Sequence, residues 1–206
     1  WNSSECGSCN LEVNALRRVL CNLLDNAFRY GEQKPVKLFC AKDKNRPDLM
    51  KEVFKESASL QMDLKTQNIS FPSKTIGLKN ITEVLVTNFS QSYESVFTFC
   101  LSDTLKYSKE KLTCNWLVCM KDKKSDEIRI GCGIYDWHFS DESNIKVKHL
   151  TIQIDEMIVL EKLTYKTIFD WVGSLPYPLC NSNEMFINTP RIEALNLIQK
   201  QFSLKR

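Results

Sequence analysis

Apolar and polar positions change rhythm several times along this chain. Between residues 11 and 30, Leu16, Val19, Leu20, Leu23, Leu24 and Ala27 recur three and four apart, which predicts an amphipathic helix. Gly31 reads as its stop, with Pro35 just beyond. VKLFCA at 36–41 then reads as a short strand, KDKNRPD as a turn, and DLMKEVFKES at 48–57 as a second helix with Pro47 near its start. Residues 61–80 are polar and mixed, hold Pro72 and Gly77, and read as a long connection.

The second half carries a different pattern. TEVLVTN (82–88), SVFTFCLS (95–102), CNWLVCM (114–120) and EIRIGCGIY (127–135) are rich in β-branched and aromatic residues and read as strands. KDKKSD between the last two suits a hairpin turn. In EIRIGCGIY, Ile128, Ile130, Cys132 and Ile134 share one face, and Arg129, Gly131 and Gly133 the other. Two glycines on one face imply a close-packed neighbour above them, or a bulge. IKVKHLTIQI (145–154) alternates as Ile145 and Val147, then shifts phase to Leu150, Ile152 and Ile154, as a β-bulge would make it.

Two helices follow. One spans 164–176, begun by Thr164 and ended by Gly173 before Pro176. The last spans 189–202, with Thr189 as N-cap, Pro190 at its first position and a stripe of Ile192, Leu195, Ile198 and Phe202. The predicted class is α+β: a mainly antiparallel sheet with helices at both ends of the chain. Residues 1–10 read as a flexible end and 11–206 as one domain, with 61–80 as the place for any sub-boundary.

Composition narrows the function classes. With 43% hydrophobic and 26% charged residues among 206, the chain has the means for a sizeable core. No apolar run is long enough to span a membrane, so no membrane partner is expected. The net charge of +3 comes without a basic stripe, and nucleic acid is not indicated. KDKNR, KDKKSD and the final SLKR read as solvated loops. The chain begins at Trp1, which reads as a fragment cut from a longer protein.

Nine cysteines, seven of them inside apolar runs, fit buried free thiols and an intracellular location, nuclear or cytoplasmic. The alternative is a secreted glycoprotein domain, supported by four sequons at Asn2, Asn68, Asn80 and Asn88.

The chemistry-bearing motifs are incomplete. Cys6-x-x-Cys9 is half of a zinc site without a matching second pair, and no metal is expected. Asp136, His138, Asp141 and Glu142 gather in DWHFSDE, which reads as a polar turn between strands. No P-loop or Gly-x-Ser-x-Gly is present, and no catalytic residue is assigned. YKTIFDWVGSLPYPL is similar to the helix and turn of ubiquitin-like β-grasp domains, but reads first as an ordinary sheet-covering helix with Ile168, Phe169, Trp171 and Val172 as its core.

LRRVLCNLLDNAFRYG followed by PVKLFCA resembles the N-box helix and strand of the GHKL ATPase fold, found in sensor histidine kinases and type II topoisomerase ATPase subunits. Asn22, Leu23, Leu24, Asn26, Ala27 and Tyr30 match. The resemblance implies Asn22 and Asn26 as cofactor-binding residues, Asn26 as the Mg²⁺ ligand that bridges to the phosphates and Asn22 where some members carry a catalytic or water-orienting group. The family's Asp-x-Gly-x-Gly box is absent, and six glycines give little means of wrapping phosphates. A degenerate module without ATPase activity, like the B-like subunit of a topoisomerase-VI-type complex, is what this resemblance implies.

The leading expectation is therefore a non-enzymatic interaction domain, a scaffold piece or subunit of an intracellular complex. It has no cofactor, its partners are other protein subunits, and no small-molecule substrate is indicated. Strand 114–120 (Trp116, Val118, Met120) and the terminal helix (Ile192, Leu195, Ile198, Phe202) are the candidate partner surfaces, because edge strands and chain-end helices are common docking sites.

Overall fold

The computed structural model describes residues 34–108, 110–140 and 145–203. The expected helix at 11–30, with Asn22 and Asn26, and the thiols Cys6 and Cys9 lie outside the described residues.

The first described element is a helix, α1 (Lys34–Asp43), where a strand was expected at 36–41. Pro35 stands in its first turn, where a missing N–H costs nothing. Leu38, Phe39 and Ala41 are buried, which is helical spacing. The KDKNR segment ends α1 with a paired closure: Arg46 N–H donates to the Ala41 carbonyl and Asn45 N–H to the Lys42 carbonyl. Asn45 takes the left-handed conformation, φ 48°, that this C-terminal motif requires. The closure fixes Lys42 and Asp43 in the last turn.

The helix expected at 48–57 shrinks to a 3₁₀ turn (Pro47–Leu49) and a short α2 (Met50–Val53), after which β1 runs from Phe54 to Leu64. The region read as a connection at 61–80 holds the end of β1, then β2 (Lys74–Ile76) and the start of α3 (Leu78–Thr82). A π-helical segment (Glu83–Thr87) and α4 (Asn88–Ser92) continue α3, so the expected strand at 82–88 is helical. Leu78, Ile81, Leu85, Val86 and Phe89 are its buried residues. Burying that 3.6-period stripe outweighs the β-propensity of a few Val and Thr.

The remaining strands are β3 (Tyr93–Leu101), β4 (Lys106–Ser108), β5 (Lys111–Asp122), β6 (Ile128–Phe139), β7 (Val147–Leu160) and β8 (Leu179–Cys180). With β1 and β2 they form a sheet in the order β2-β1-β7-β6-β5-β3-β8, with β4 pairing β5. β1 with β7 and β3 with β8 are parallel, and the other pairs are antiparallel. The α+β class therefore holds, with a mixed sheet. The expected hairpin closes β5 onto β6, where Asp122 N–H donates to the Glu127 carbonyl and the Asp122 carboxylate accepts from Lys124 N–H and Ser125 N–H.

The phase shift read in 145–154 is a bulge. His138 pairs His149 and Phe139 pairs Val147, which leaves Lys148 as the extra residue. A second irregularity has no counterpart in the sequence reading: Cys132 pairs Glu156 while Gly133 pairs Ile154, so Asp155 is extra there.

The two faces of the sheet carry two cores. On one, here the inner face, α1–α4 cover Val118, Met120, Trp116, Tyr135, Trp137, Ile152 and Met157. On the outer face lie α5 (Tyr165–Gly173), α6 (Ser182–Ile187) and α7 (Leu195–Ser203), against Phe99, Leu117, Ile130 and Ile158. Thr164 does not cap α5 with its side chain; its hydroxyl donates to the Glu161 carbonyl instead. The last helix begins at Leu195, not 189. The Thr189 hydroxyl donates to the Met185 carbonyl, so it closes α6 rather than opening α7.

Candidate functional site

The inner face holds a pocket of about 40 Å³, lined by Leu38 and Lys42 from α1, Leu85 and Phe89 from the covering helical run, and Met62, Trp116, Tyr135, Ile154 and Met157 from the sheet. That is room for roughly three waters at ~10–15 Å³ each. Most of the lining is apolar, and Met62, Met120 and Met157 are among it. Methionine is unbranched and adapts its shape, so this wall is deformable.

Gly131 and Gly133 lie on this face, as the alternation of β6 implied. A side chain at Gly131 would meet the Met157 methyl group, and one at Gly133 would meet the Gln153 carbonyl and the Trp116 ring. Both readings of the glycine pair apply: a neighbour packs closely above, and a bulge faces Gly133 across β7.

The polar atoms of the site cluster at one end. Asp43, with a fully buried side chain, sits 3.7 Å from the Lys42 ammonium, whose side chain is 11% exposed. The Asp43 carboxylate accepts from Thr98 N–H (2.8 Å), the Thr98 hydroxyl (2.9 Å) and the Tyr177 hydroxyl (3.0 Å). Asp43 stands in the last turn of a helix, where the macrodipole disfavours an anion, and these donors hold it there. Burial pushes the Lys42 amine below its ordinary value and the Asp43 carboxyl above its own, while each partner's charge opposes the shift. Burial, followed by the charge of Asp43, raises the Tyr177 phenol; burial raises that of Tyr135 well above its usual value. Both stay protonated donors near neutrality.

Two further features aim at an acceptor. Lys42 lies 5.1 Å from the centre of the Phe89 ring, and among the described residues its one charged partner is Asp43, whose lone pairs are largely taken. The indole N–H of Trp116 is buried with no hydrogen-bond partner in the structure. A buried unmatched donor costs about 1–3 kcal/mol, which an incoming acceptor would recover.

The residues expected to meet partners sit elsewhere than a surface. Trp116, Val118 and Met120 are 3%, 4% and 0% exposed, because β5 is flanked by β6 and β3 and is not an edge. They face the inner core, and all three line the pocket. Leu195, Ile198 and Phe202 are buried under the outer face, with Ile192 packed half-buried beside them. Ile168, Trp171 and Val172 are buried as core residues of α5, and Phe169 packs half-buried beside them.

Asp136 and His138 of DWHFSDE lie in β6 rather than in the expected turn, on the outer face, while Asp141 and Glu142 lie outside the described residues. His138 stacks edge-on to His149 at 5.6 Å and lies 3.2 Å from Asp136. Both ring nitrogens of His149 are engaged, by Ser59 at 2.8 Å and Thr151 at 3.1 Å. Among the described residues no three groups converge as a metal site.

Lys42, Asp43, Thr98 and Tyr177 were missed by sequence reading. The one signal was KDKNRP itself, where a helix-ending Asn follows a Lys-Asp pair; taken as a solvated turn, it hid a buried pair.

No family model and no characterised protein sequence matches the chain. Solved structures do. LinA superposes with a TM-score of 0.53 at 11% identity, covering 68% of this chain and 93% of that one. Hexachlorocyclohexane dehydrochlorinase LinA-type3 from Novosphingobium barchaimii LL02 gives 0.51 at 12%, covering 68% and 94%. A nuclear transport factor 2 (NTF2-like) superfamily protein from Salmonella enterica reaches only 0.47 at 11%, covering 70% and 94%, and carries no argument here.

The first two similarities establish the fold alone, which is that of LinA, and they overturn the GHKL resemblance. The VKLFCA segment that was to be the GHKL strand is a helix, as shown above. The expectations of a non-enzymatic scaffold, a pseudo-ATPase and a chain without a small-molecule substrate are corrected as well. LinA-type3 is by its name a dehydrochlorinase, an enzyme acting on a small molecule.

Proposed function

We propose that the chain binds a small, largely apolar molecule bearing a carbonyl oxygen, held on the inner face with that oxygen against Lys42 and Trp116. The carrying observation is that the lining of one apolar space includes two donors, the nearly buried ammonium of Lys42, whose counter-carboxylate is already supplied with donors, and the unmatched indole N–H of Trp116. Charge selects the ligand class. Lys42 and Asp43 balance, so a buried carboxylate ligand would leave an uncompensated charge at a cost of several kcal/mol, whereas a carbonyl accepts both donors without one. A ring-sized ligand enters when Met62, Met120 or Met157 swings aside.

Cyclohexanone, cyclohexanecarboxylate and methylcyclohexane test this by calorimetric titration. Cyclohexanone should bind tightest. Lys42→Met should weaken it by about 10- to 100-fold, the equivalent of ~1.5–3 kcal/mol for a hydrogen bond from a charged donor, and leave methylcyclohexane unchanged. Because the Lys42 amine is lowered by burial, the ammonium is present at low pH and lost below its ordinary 10.5. Ketone affinity should therefore fall as pH rises through that lowered value, and the fall should vanish in Lys42→Met. Equal affinity for all three compounds, or an unaffected Lys42→Met, sinks the reading.

A further inference from the structure

Beneath the Lys42 end of the inner face lie two thiols that ligand binding does not use. Cys100 is near the end of β3 and Cys114 is on β5, both buried, with their sulfurs 2.9 Å apart. A disulfide bond is ~2.05 Å, so closing the gap asks each sulfur to move about 0.4 Å. The strands that carry them are already paired: Cys100 lies opposite Trp116, two positions along from Cys114. The chain between them turns through Ser102–Thr104 and β4, and the Thr104 hydroxyl accepts from Asn115 N–H at 2.9 Å, which pins the segment beside Cys114.

We infer that Cys100 and Cys114 are a dithiol built to close into a disulfide across β3 and β5, with a low-molecular-weight disulfide such as oxidised glutathione as the oxidant. The chemistry balances in two exchanges. One cysteine, as thiolate, attacks a glutathione sulfur, forming a mixed disulfide and releasing one reduced glutathione. The second cysteine, losing its proton, attacks the protein-side sulfur, forms the Cys100–Cys114 bond and expels the second reduced glutathione. Two protein thiols are oxidised and one glutathione disulfide is reduced.

Burial keeps Cys100 in its thiol form, so the first exchange runs through local opening of the β3 end, and proximity drives the second. The bridge would lock β3 to β5 beside Tyr135, and so set the rigidity of the wall that lines the pocket.

The test equilibrates the folded, reduced chain in glutathione buffers of increasing oxidised fraction, quenches with an alkylating agent, and maps peptides by mass spectrometry. The expected product is lighter by two hydrogens, joins the Cys100 and Cys114 peptides, appears at a lower oxidised fraction than any other modification, and has a raised urea midpoint. Cys40, half-exposed, should gain only a glutathione adduct. Cys114→Ser should lose the link and keep an adduct at Cys100, with circular dichroism confirming its fold. Full alkylation of both cysteines at every ratio, or a glutathione adduct on Cys100 that never closes in the wild type, would overturn the inference. So would a link joining either cysteine to a different one.

Discussion

Gly133→Ala should cost more than about 4 kcal/mol, the range reserved for backbone collisions and similar severe defects. A Cβ at Gly133 would stand 1.8 Å from the Gln153 carbonyl oxygen, 2.8 Å from its carbon and 2.9 Å from the Trp116 ring. The first two are backbone atoms of β7, brought close where Asp155 is the extra residue. No rotamer change relieves them, so β6 and β7 must separate at the most heavily paired part of the sheet. A typical domain has only ~5–15 kcal/mol in hand, so the expected result is a variant that is mostly unfolded or insoluble.

Gly131→Ala, two residues earlier on the same face, is the control. Its Cβ would stand 2.4 Å from the Met157 methyl carbon and 3.0 Å from its sulfur, the far end of a flexible side chain, and 3.2 Å from the Glu156 carbonyl oxygen, which a shift of a few tenths of an ångström relieves. Its cost should fall at the low end of the ~1–3 kcal/mol usual for overpacking. The displaced Met157 should also narrow the pocket and weaken ketone binding. Urea denaturation of both variants decides the matter, and similar losses would refute the account of the bulge.

Asp43→Ala should be the second severe change, at about 3–5 kcal/mol, the usual effect of removing one partner of a buried pair. It deprives Lys42 of its counter-charge and orphans Thr98 N–H, the Thr98 hydroxyl and the Tyr177 hydroxyl together. Adding Lys42→Met to Asp43→Ala removes the stranded charge and should recover part of the loss. The coupling in that double-mutant cycle measures how far the loss comes from the pair rather than from the orphaned donors. A loss below ~1 kcal/mol for Asp43→Ala would mean that the pair is open to water and the site is not dry.

The strands of the second half were legible because their alternation is long and their turns carry clear signals. IKVKHLTIQI even showed its bulge at Lys148. The bulge at Asp155 was hidden, because Ile154, Met157 and Ile158 keep an apolar texture on both sides of it. The helical run at 78–92 was misread from a window of seven residues; the spacing of Leu78, Ile81, Leu85 and Phe89 needs the longer window to declare itself.

VKLFCA failed for a similar reason: its six residues read as a strand, while Leu38, Phe39 and Ala41 declare a helix only with the turns on either side of them. The site was the least legible part. Lys42 and Asp43 carry charges that normally mean solvent, and only the tertiary fold shows that Thr98 and Tyr177, 55 and 134 residues away, supply the donors that bury Asp43. Trp116 was marked as a partner contact from its exposure on a supposed edge. The sheet order made it an interior donor instead.

The central claim, that this interior receives a carbonyl compound, is tested most directly at the Trp116 indole N–H. Its side-chain signal in a nitrogen–proton correlation spectrum should be followed during titration with cyclohexanone, assigned through Trp116→Phe. A free buried N–H that gains an acceptor should shift strongly downfield and saturably, while the signal of Trp171, already bonded to the Met185 carbonyl at 3.2 Å, stays in place. A Trp116 signal that does not move while the ketone binds, or that moves no more than that of Trp171, would contradict the proposed site.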